Sequence, residues 1–257
     1  MSMTRRETLK ALASVSAVAG LGETARAAPR SSPVPIVTTG GTRLYLTSIF
    51  PQWWTPQPIP NLTWSLPSDR TTNPPPMYVT GDYVVYGAQT SPDHATALQD
   101  VRNTPFYGVF TRGYLQLVTR PLQGAQTVNG TVSMAVHCIQ WHRKIGATLA
   151  LQVTVHRSDG SLRGLALPVT RDATEFPLES PARTRAAIGW PLASVAADDG
   201  DVIAINIGIW ADNQTRTLAQ GVGFAFYANQ TSDIAYLDSA DPGNSWVEFS
   251  SQPIFRP

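Results

Sequence analysis

The sequence predicts an all-β protein, built as an antiparallel, jelly-roll-like sandwich of two sheets with at most one or two short helices. Three observations support this prediction. Apolar and polar residues alternate with period two in many short segments, turn-forming glycines and prolines separate these segments, and there is no fixed-period repeat of the kind seen in propellers and solenoids. Two packed antiparallel sheets are the architecture that remains.

The clearest strand lies in residues 200–212, after the turn at Gly200-Asp201. One of its faces carries four isoleucines, whereas the other carries Asn206 and Trp210 among small apolar residues. A strand that is apolar on both faces is an inner strand of a sheet. We therefore expect the isoleucine face to be fully covered and the second face to be at least half covered. The isoleucines are Ile203, Ile205, Ile207 and Ile209.

The first 27 residues have the features of an export signal. Arg5-Arg6 precedes an uncharged, alanine-rich stretch at residues 11–22, and Ala25-Arg26-Ala27 is a small-x-small cleavage site. This pattern resembles a twin-arginine signal peptide; the alternatives are an ordinary secretory signal or a basic N-terminal helix that is retained. The stretch is too short for a transmembrane anchor. We expect a periplasmic or secreted bacterial protein with no membrane span after signal cleavage.

Length and charge limit the domain organisation and the partners. The 257 residues are predicted to comprise the signal peptide (1–27), an extended linker (28–41) and a single β-sandwich domain (42–257) with an irregular, proline-rich segment at 50–105. Beyond residue 27, 15 basic residues face 16 acidic ones, which argues against nucleic acid as a partner. The single cysteine, Cys138, excludes an intrachain disulfide, and its alternation with apolar residues predicts a buried thiol.

The first predicted strand, 42–47, places Leu44 and Leu46 on one face. The proline-rich run that follows, 50–60, cannot lie in the middle of a sheet, because proline lacks a backbone donor. It carries Trp53 and Trp54. Two exposed indoles on a rigid loop suit the apolar faces of sugar rings, but we favour the alternative, in which they plug the open end of the sandwich.

Two further elements are predicted before residue 105. A short strand lies within 77–86. Ser91-Pro92-Asp93 has the features of a helix start, namely a serine cap, a proline at the first helical position and an acid in the first turn. The helix that it opens is predicted to be short and to end near Val101.

The second half of the chain is a close succession of strands. The strong turn at 158–161 predicts a hairpin between the strands on either side of it. The segment 172–187 is predicted to be irregular, and 219–228 to be the antiparallel neighbour of 200–212. In the last strand, Val247 and Phe249 face one way while Trp246 and Glu248 face the other. The predicted strands are 107–119, 131–141, 148–156, 162–168, 202–212, 219–228 and 245–250.

A family resemblance extends over about residues 120–250. Its features are Gly200-Asp201 opening an alternating strand, the polar turn at 213–217, the acidic loop after it and the closing segment 244–250. These resemble a poorly characterised, jelly-roll-like β-sandwich domain of phage virion or tail-associated proteins and of bacterial surface proteins. The resemblance implies an extracellular binding or structural module, and it brings no catalytic residue with it.

Three functions are compatible with these observations. The first is a non-catalytic module that recognises carbohydrate at the cell surface. The second is a structural or protein-interaction subunit of virion-like or cell-envelope type. The third is a polysaccharide-degrading enzyme, in which Glu248 and Asp212 would form the carboxylate pair. The partner is accordingly predicted to be a polysaccharide or a protein at the cell surface. The predicted ligand-binding residues are Trp53, Trp54, Trp210, Trp246 and Glu248.

No cofactor, metal site or catalytic residue is predicted. Asp233, Asp238 and Asp241 carry the oxygen ligands that calcium prefers, but their spacing does not match an EF-hand loop, and we favour a solvated acidic loop. The four histidines lack the spacing of zinc ligands.

Overall fold

All regular secondary structure in the described part of the chain is β-strand, which confirms the all-β prediction. The structure is a computed structural model that describes residues 41–48, 52–53, 55, 77–79, 84–92, 97–104, 108–140, 144–176, 183–213, 220–228, 230–234 and 243–257. Within these residues no helix has the length and apolar character to cross a membrane. The strands are β1 (Thr42–Thr47), β2 (Met77–Val79), β3 (Val84–Gln89), β4 (Ala97–Thr104), β5 (Gly108–Thr119), β6 (Gln126–Val128), β7 (Thr131–Gln140), β8 (Ile145–His156), β9 (Leu162–Arg171), β10 (Arg183–Pro191), β11 (Val195–Ala197), β12 (Val202–Asn213), β13 (Gln220–Tyr227) and β14 (Trp246–Phe249).

Twelve strands form one continuous sheet, in the order β4-β13-β7-β14-β1-β3-β5-β12-β8-β9, with β10 added to β7 and β2 added to β5. Strands β6 and β11 pair separately. The finer prediction of two separate antiparallel sheets is not confirmed. Strands β2 and β3 both run parallel to β5. Between β3 and β5 the chain visits β4 at the far end of the sheet, and this long crossover allows β5 to return parallel to β3.

Strand β1 joins the two halves of the sheet. Residues 42–44 pair with β14, and residues 45–47 pair with β3. Leu44 and Leu46, which are predicted to share one face, are both fully buried in a hydrophobic cluster that also contains side chains from β7 and β14 on one side and from β5, β8 and β12 on the other. Since one cluster draws on both halves, the sheet curls over a shared core. The thiol of Cys138 is buried in it, as predicted.

Strand β12 is an inner strand, as its sequence predicts. It pairs with β5 on one side and with β8 along its whole length on the other. Its four alternating isoleucines are fully buried in the core. The β8–β9 hairpin also forms where it is predicted, around a turn in which Gly160 adopts a φ of 82°.

Three predictions about elements are wrong. Residues 97–104, where a helix is predicted to end, form strand β4, because the backbone pairs with β13 over eight residues. Part of the segment predicted to be irregular belongs to β10, which pairs with β7. Strand β13 lies between β4 and β7 and is not the neighbour of β12. In each case long-range pairing determined the outcome.

Candidate functional site

The structure does not gather the five predicted binding residues into one site. Trp246 and Glu248 lie on β14 and Trp210 lies on β12, with β1, β3 and β5 between these two strands in the sheet. Trp53 is 54% exposed, so it does not plug the core. Trp54 lies outside the described residues. The same strand order separates Glu248 from Asp212, so these two carboxylates do not face each other across one cleft.

Trp246 is a buried side chain with no open face. It is 1% exposed and belongs to a second, smaller hydrophobic cluster with Tyr45, Ala135 and Ile234. Its indole Nε1 donates a hydrogen bond to the backbone oxygen of Ile234 at 3.2 Å. The guanidinium of Arg43 lies 4.5 Å from the ring centroid, where cation–π attraction is favourable. These contacts account for Trp246 as a structural residue.

Glu248 is held in an ion-pair network above Trp246. Arg43 donates from Nε to the Oε2 atom of Glu248 at 2.6 Å and from Nη1 to the Oδ2 atom of Asp233 at 2.8 Å. Tyr45 donates its hydroxyl hydrogen to the same Asp233 oxygen at 2.6 Å. Burial alone lowers the pKa of Arg43, but the bonds to the two carboxylates outweigh it and the net pKa is raised. Burial and the bond to Asp233 raise the pKa of Tyr45. Arg43 and Tyr45 therefore stay protonated, and the network covers the hydrophobic cluster that contains Trp246.

The acidic loop is only partly described. Asp233 is committed to Arg43 and Tyr45, whereas Asp238 and Asp241 lie outside the described residues. The part of the chain that is described contains no group of three or more carboxylates, histidines or cysteines able to hold a metal ion.

Trp210 lies on the outer face of β12, opposite the isoleucine face, and is partly exposed. The guanidinium of Arg171, at the end of β9, lies 4.1 Å from the centroid of the indole ring. Arginine stacks well on indole because its charge is delocalised over a plane. The pair therefore presents an aromatic surface and a cation at one place on the sheet.

Two carboxylates lie beside Trp210. Asp212 is two residues further along β12, on the same face, and is paired across the strands with Gly146 of β8. Glu175 occupies the space that a side chain at residue 146 would need, because its Oε1 atom would be 2.8 Å from a Cβ placed there. Directly opposed Cβ positions in a sheet are about 5 Å apart. The two carboxylates therefore share one part of this face.

The segment carrying Glu175 is fixed along the edge of β8. The backbone nitrogen of Asp172 donates to the oxygen of Leu149 at 2.8 Å, and that of Phe176 donates to the oxygen of Ala147 at 2.7 Å. The side chain of Phe176 is buried in the core. Glu175 is thus an exposed residue held between two anchored positions.

Thr148 completes the arrangement. It is the direct partner of Trp210 across the β8–β12 ladder and is 5% exposed. Its buried Oγ1 atom has no hydrogen-bond partner in the described structure. Buried polar atoms are rarely left in that condition, so this hydroxyl is a natural contact for a ligand. We call the set Thr148, Arg171, Glu175, Trp210 and Asp212 the Trp210 surface.

Amide side chains stiffen the sheet beside this surface. Gln116 of β5 donates from Nε2 to the Oδ1 atom of Asn206 at 2.8 Å, and Asn206 donates from Nδ2 to the Oε1 atom of Gln152 on β8 at 2.9 Å. All three side chains are buried. This amide ladder crosses three strands, so it fixes the position of β12 relative to its neighbours.

Sequence reasoning identified only part of the Trp210 surface. The period of β12 placed Trp210 and Asp212 on one face. Arg171 and Glu175 were missed, because the end of β9 and the segment after it carry no periodic pattern. The glycine at 146, which leaves room for a carboxylate, is a signal that is recognisable only once the strand pairing is known.

Comparisons with known proteins identify no family for the chain. The sequence matches no protein-family model and no curated protein. Among solved structures it is similar to a CocE/NonD family hydrolase from Staphylococcus aureus, at 7% identity over 66% of this chain and 39% of that one, with a TM-score of 0.31. It is also similar to infectious bursal disease virus, Gt strain, at 11% identity over 63% of this chain and 42% of that one, with a TM-score of 0.17. The T13 particle of the same virus gives 11% identity over 64% and 41%, with a TM-score of 0.15. The chain thus spans about two fifths of each neighbour, and scores this low carry no assignment of fold or function.

Proposed function

We propose that this protein is an exported, non-catalytic binding module that recognises carbohydrate through the Trp210 surface. One observation carries the proposal: an indole, two carboxylates and a buried hydroxyl without a partner lie together on the outer face of β8 and β12. The twin-arginine-like segment at residues 1–27 supports the export part, with the periplasm or the cell exterior as the place of action.

The chemistry of these groups suits a sugar. The C–H face of a pyranose packs against the exposed part of an indole, as other apolar surfaces do. Its hydroxyl groups donate hydrogen bonds to the carboxylates of Asp212 and Glu175 and accept them from Arg171. A hydroxyl that reaches the Oγ1 atom of Thr148 supplies its missing partner, which gives that contact a favourable free energy.

The arrangement favours binding over hydrolysis. Glycoside hydrolysis needs two carboxyl groups that flank the scissile bond. Asp212 projects from one face of the sheet and the Glu175 carboxylate lies over Gly146 on that same face, so a polymer lying there would meet both carboxylates from the same side. Trp53, the exposed indole of the proline-rich loop, is a second contact that we propose for a polymeric ligand.

The test is a pull-down of the purified protein on a panel of insoluble and soluble polysaccharides, with reducing-end release measured in the same tubes. We expect saturable binding to at least one polymer without release. Replacing Trp210 by Ala, or Glu175 by Gln, should weaken that binding about tenfold or more, which corresponds to roughly 1.4 kcal/mol. Trp53→Ala tests the loop indole separately.

The matched control is Glu248→Gln, a carboxylate of the Arg43 network, which should leave polysaccharide affinity unchanged. Binding that survives Trp210→Ala would move the site elsewhere. Release of sugar ends would favour the polysaccharide-degrading enzyme, and a complete lack of binding would favour the protein-interaction subunit.

A further inference from the structure

A cleft of about 600 Å³ lies beside the start of β1, the end of β3 and the residues after β14. Small-molecule sites in proteins have volumes of roughly 300–1,000 Å³, so this cleft has the size of a ligand site. We call it the tail cleft. The lining residues that matter below are Thr42, Gln89, Arg120, Ile254, Phe255 and Arg256.

The wall formed by residues 252–257 is held in place. The backbone nitrogen of Gln123 donates to the oxygen of Ile254 at 2.9 Å, and the nitrogen of Arg256 donates to the oxygen of Pro121 at 2.8 Å. The side chain of Gln126 bonds both the nitrogen and the oxygen of Ile254, at 3.0 and 2.9 Å. Since these bonds fix the wall before any ligand arrives, little ordering is needed on binding.

The two arginines of the tail cleft differ in their pairing. Arg256 donates from Nη2 to the Oδ2 atom of Asp199 at 2.6 Å, so its charge is already compensated. Arg120 is partly buried, and the structure gives its side chain no hydrogen bond or ion pair with any described residue. A guanidinium in a confined space favours a counter-ion, and its planar fork fits a carboxylate with two parallel hydrogen bonds.

The wall formed by residues 252–257 also carries apolar side chains. Ile254 is 61% exposed, which is high for a large aliphatic side chain, and Phe255 packs against the hydrophobic core with part of its ring exposed. Thr42 and Gln89 add polar groups along the cleft. The tail cleft therefore combines one uncompensated cation, an apolar wall and a few hydrogen-bonding side chains.

We propose that the tail cleft binds a small organic carboxylate with an apolar body, its carboxylate on Arg120 and its body against Ile254 and Phe255. This site is separate from the Trp210 surface and does not depend on the carbohydrate proposal. The charge of Arg120 selects the anion, and the apolar wall distinguishes an organic acid from a simple inorganic ion.

The experiment is isothermal titration calorimetry of the purified protein with 1-naphthoate as the probe. Two comparison ligands separate the two halves of the site: 1-naphthalenemethanol lacks the charge, and inorganic phosphate lacks the apolar body. We expect one saturable naphthoate site, with each comparison ligand binding about tenfold or more weakly. Equal affinity for either comparison ligand, or no naphthoate binding up to about 10 mM, would overturn the proposal.

Variants test whether the measured heat of naphthoate binding comes from the tail cleft. Arg120→Gln and Ile254→Asn should each weaken naphthoate binding about tenfold, whereas Arg171→Gln, a matched change on the Trp210 surface, should not alter it. Far-ultraviolet circular dichroism and the unfolding midpoint verify that each variant is folded. If folded Arg120→Gln binds naphthoate as the unchanged protein does, the proposed site is wrong. Polysaccharide affinity of the same variant should be unchanged, so the two proposals can fail independently.

Discussion

His137 and His156 are two histidines that the described structure buries, and neither belongs to the proposed sites. The Nε2 atom of His137 lies 3.4 Å from the oxygen of Gly243, and its ring meets Tyr227 edge-on at 5.0 Å between centroids. The ring nitrogens of His156 contact the Thr154 hydroxyl at 2.9 Å and the oxygen of Gly160 at 3.2 Å. Burial lowers the pKa of both histidines, and the carbonyl contacts offset this only in part.

This burial makes stability depend on pH. An unfolded histidine has a pKa of about 6.5, so the unfolded chain binds more protons than the folded chain once the pH falls below that value. The stability that comes from keeping these histidines neutral is fully present above about pH 6.5. It is lost as the pH falls from about 6.5 toward the lowered pKa of the folded state, by at most about 1.4 kcal/mol per pH unit for each histidine. Urea unfolding between about pH 7.5 and pH 5.5 should show a falling free energy of unfolding.

Variants isolate the two histidines from the remaining titratable groups. A protein carrying His137→Phe and His156→Gln should lose less of its unfolding free energy over the same pH interval, even if it is less stable at neutral pH. If the pH dependence is the same with and without these histidines, their burial does not cause it.

The prediction of Glu248 as a binding residue rests on its position beside Trp246 on the last strand. Its position in phase with Trp246 was correct, and this pairing of a carboxylate with an indole is typical of sugar sites. The sequence could not show that Arg43 is the direct cross-strand partner of Glu248. Because of that contact, which joins residues far apart in the chain, Glu248 and Arg43 cover the small hydrophobic cluster that contains Trp246.

At the scale of the element, β12 has a fully buried isoleucine face and a second face that is partly exposed at Trp210. The isoleucine face needs only apolar neighbours. The other face carries Asn206, whose amide is buried and must therefore be hydrogen-bonded on both sides. The amide ladder meets that need through Gln116 on β5 and Gln152 on β8.

If the amide ladder is held by hydrogen bonds, a triple variant should lose less free energy of unfolding than a single variant. Asn206→Leu leaves Gln116 and Gln152 without the partner between them, at a cost of about 2 kcal/mol or more. Replacing all three residues by Leu removes the three buried amide groups along with the bonds between them, so the triple variant should lose less stability than the single one. Chemical unfolding of both variants gives the comparison. A loss that grows with each leucine would show that volume, not hydrogen bonding, sets the cost.

Strands could be predicted from the sequence to the extent that their cause is local. Alternation within β1, β8, β12 and β14 marks the faces of those strands, and a glycine-containing turn marks the β8–β9 hairpin. The capping pattern at 91–93 is equally local, yet pairing with β13 gives 97–104 as a strand. Which strand lies beside which depends on contacts across the chain, so the place of β13 and the parallel pairs of β5 were beyond reach.

The same division holds for the candidate site. Trp210 and Asp212 follow from the period of β12. Arg171 reaches the indole from β9, and Glu175 occupies the space over Gly146, the cross-strand partner of Asp212. The tail cleft has no sequence signal of its own beyond two large apolar residues, Ile254 and Phe255, after the last strand.

At the scale of the whole molecule, β1 is the connection between two halves of the sheet. Each half also has a face turned away from the main hydrophobic cluster, with the buried Trp246 on one and the partly exposed Trp210 on the other. Their inner faces share a single hydrophobic cluster, which contains Leu44 and Leu46 of β1 together with side chains from both halves. Neither half can open without exposing core residues of the other, so the halves should not unfold separately.

Fluorine NMR of 5-fluorotryptophan protein tests this coupling, with Trp210 and Trp246 assigned by their Phe variants. As denaturant is added, the folded resonances of the two residues should disappear at one common midpoint. Leu46→Ala removes a fully buried side chain at the junction and should cost about 2–5 kcal/mol. Because the core is shared, the variant should lower both midpoints by the same amount. Two midpoints in the unchanged protein, or a shift confined to Trp210, would show that the halves are separate cooperative units joined only by the β1 backbone.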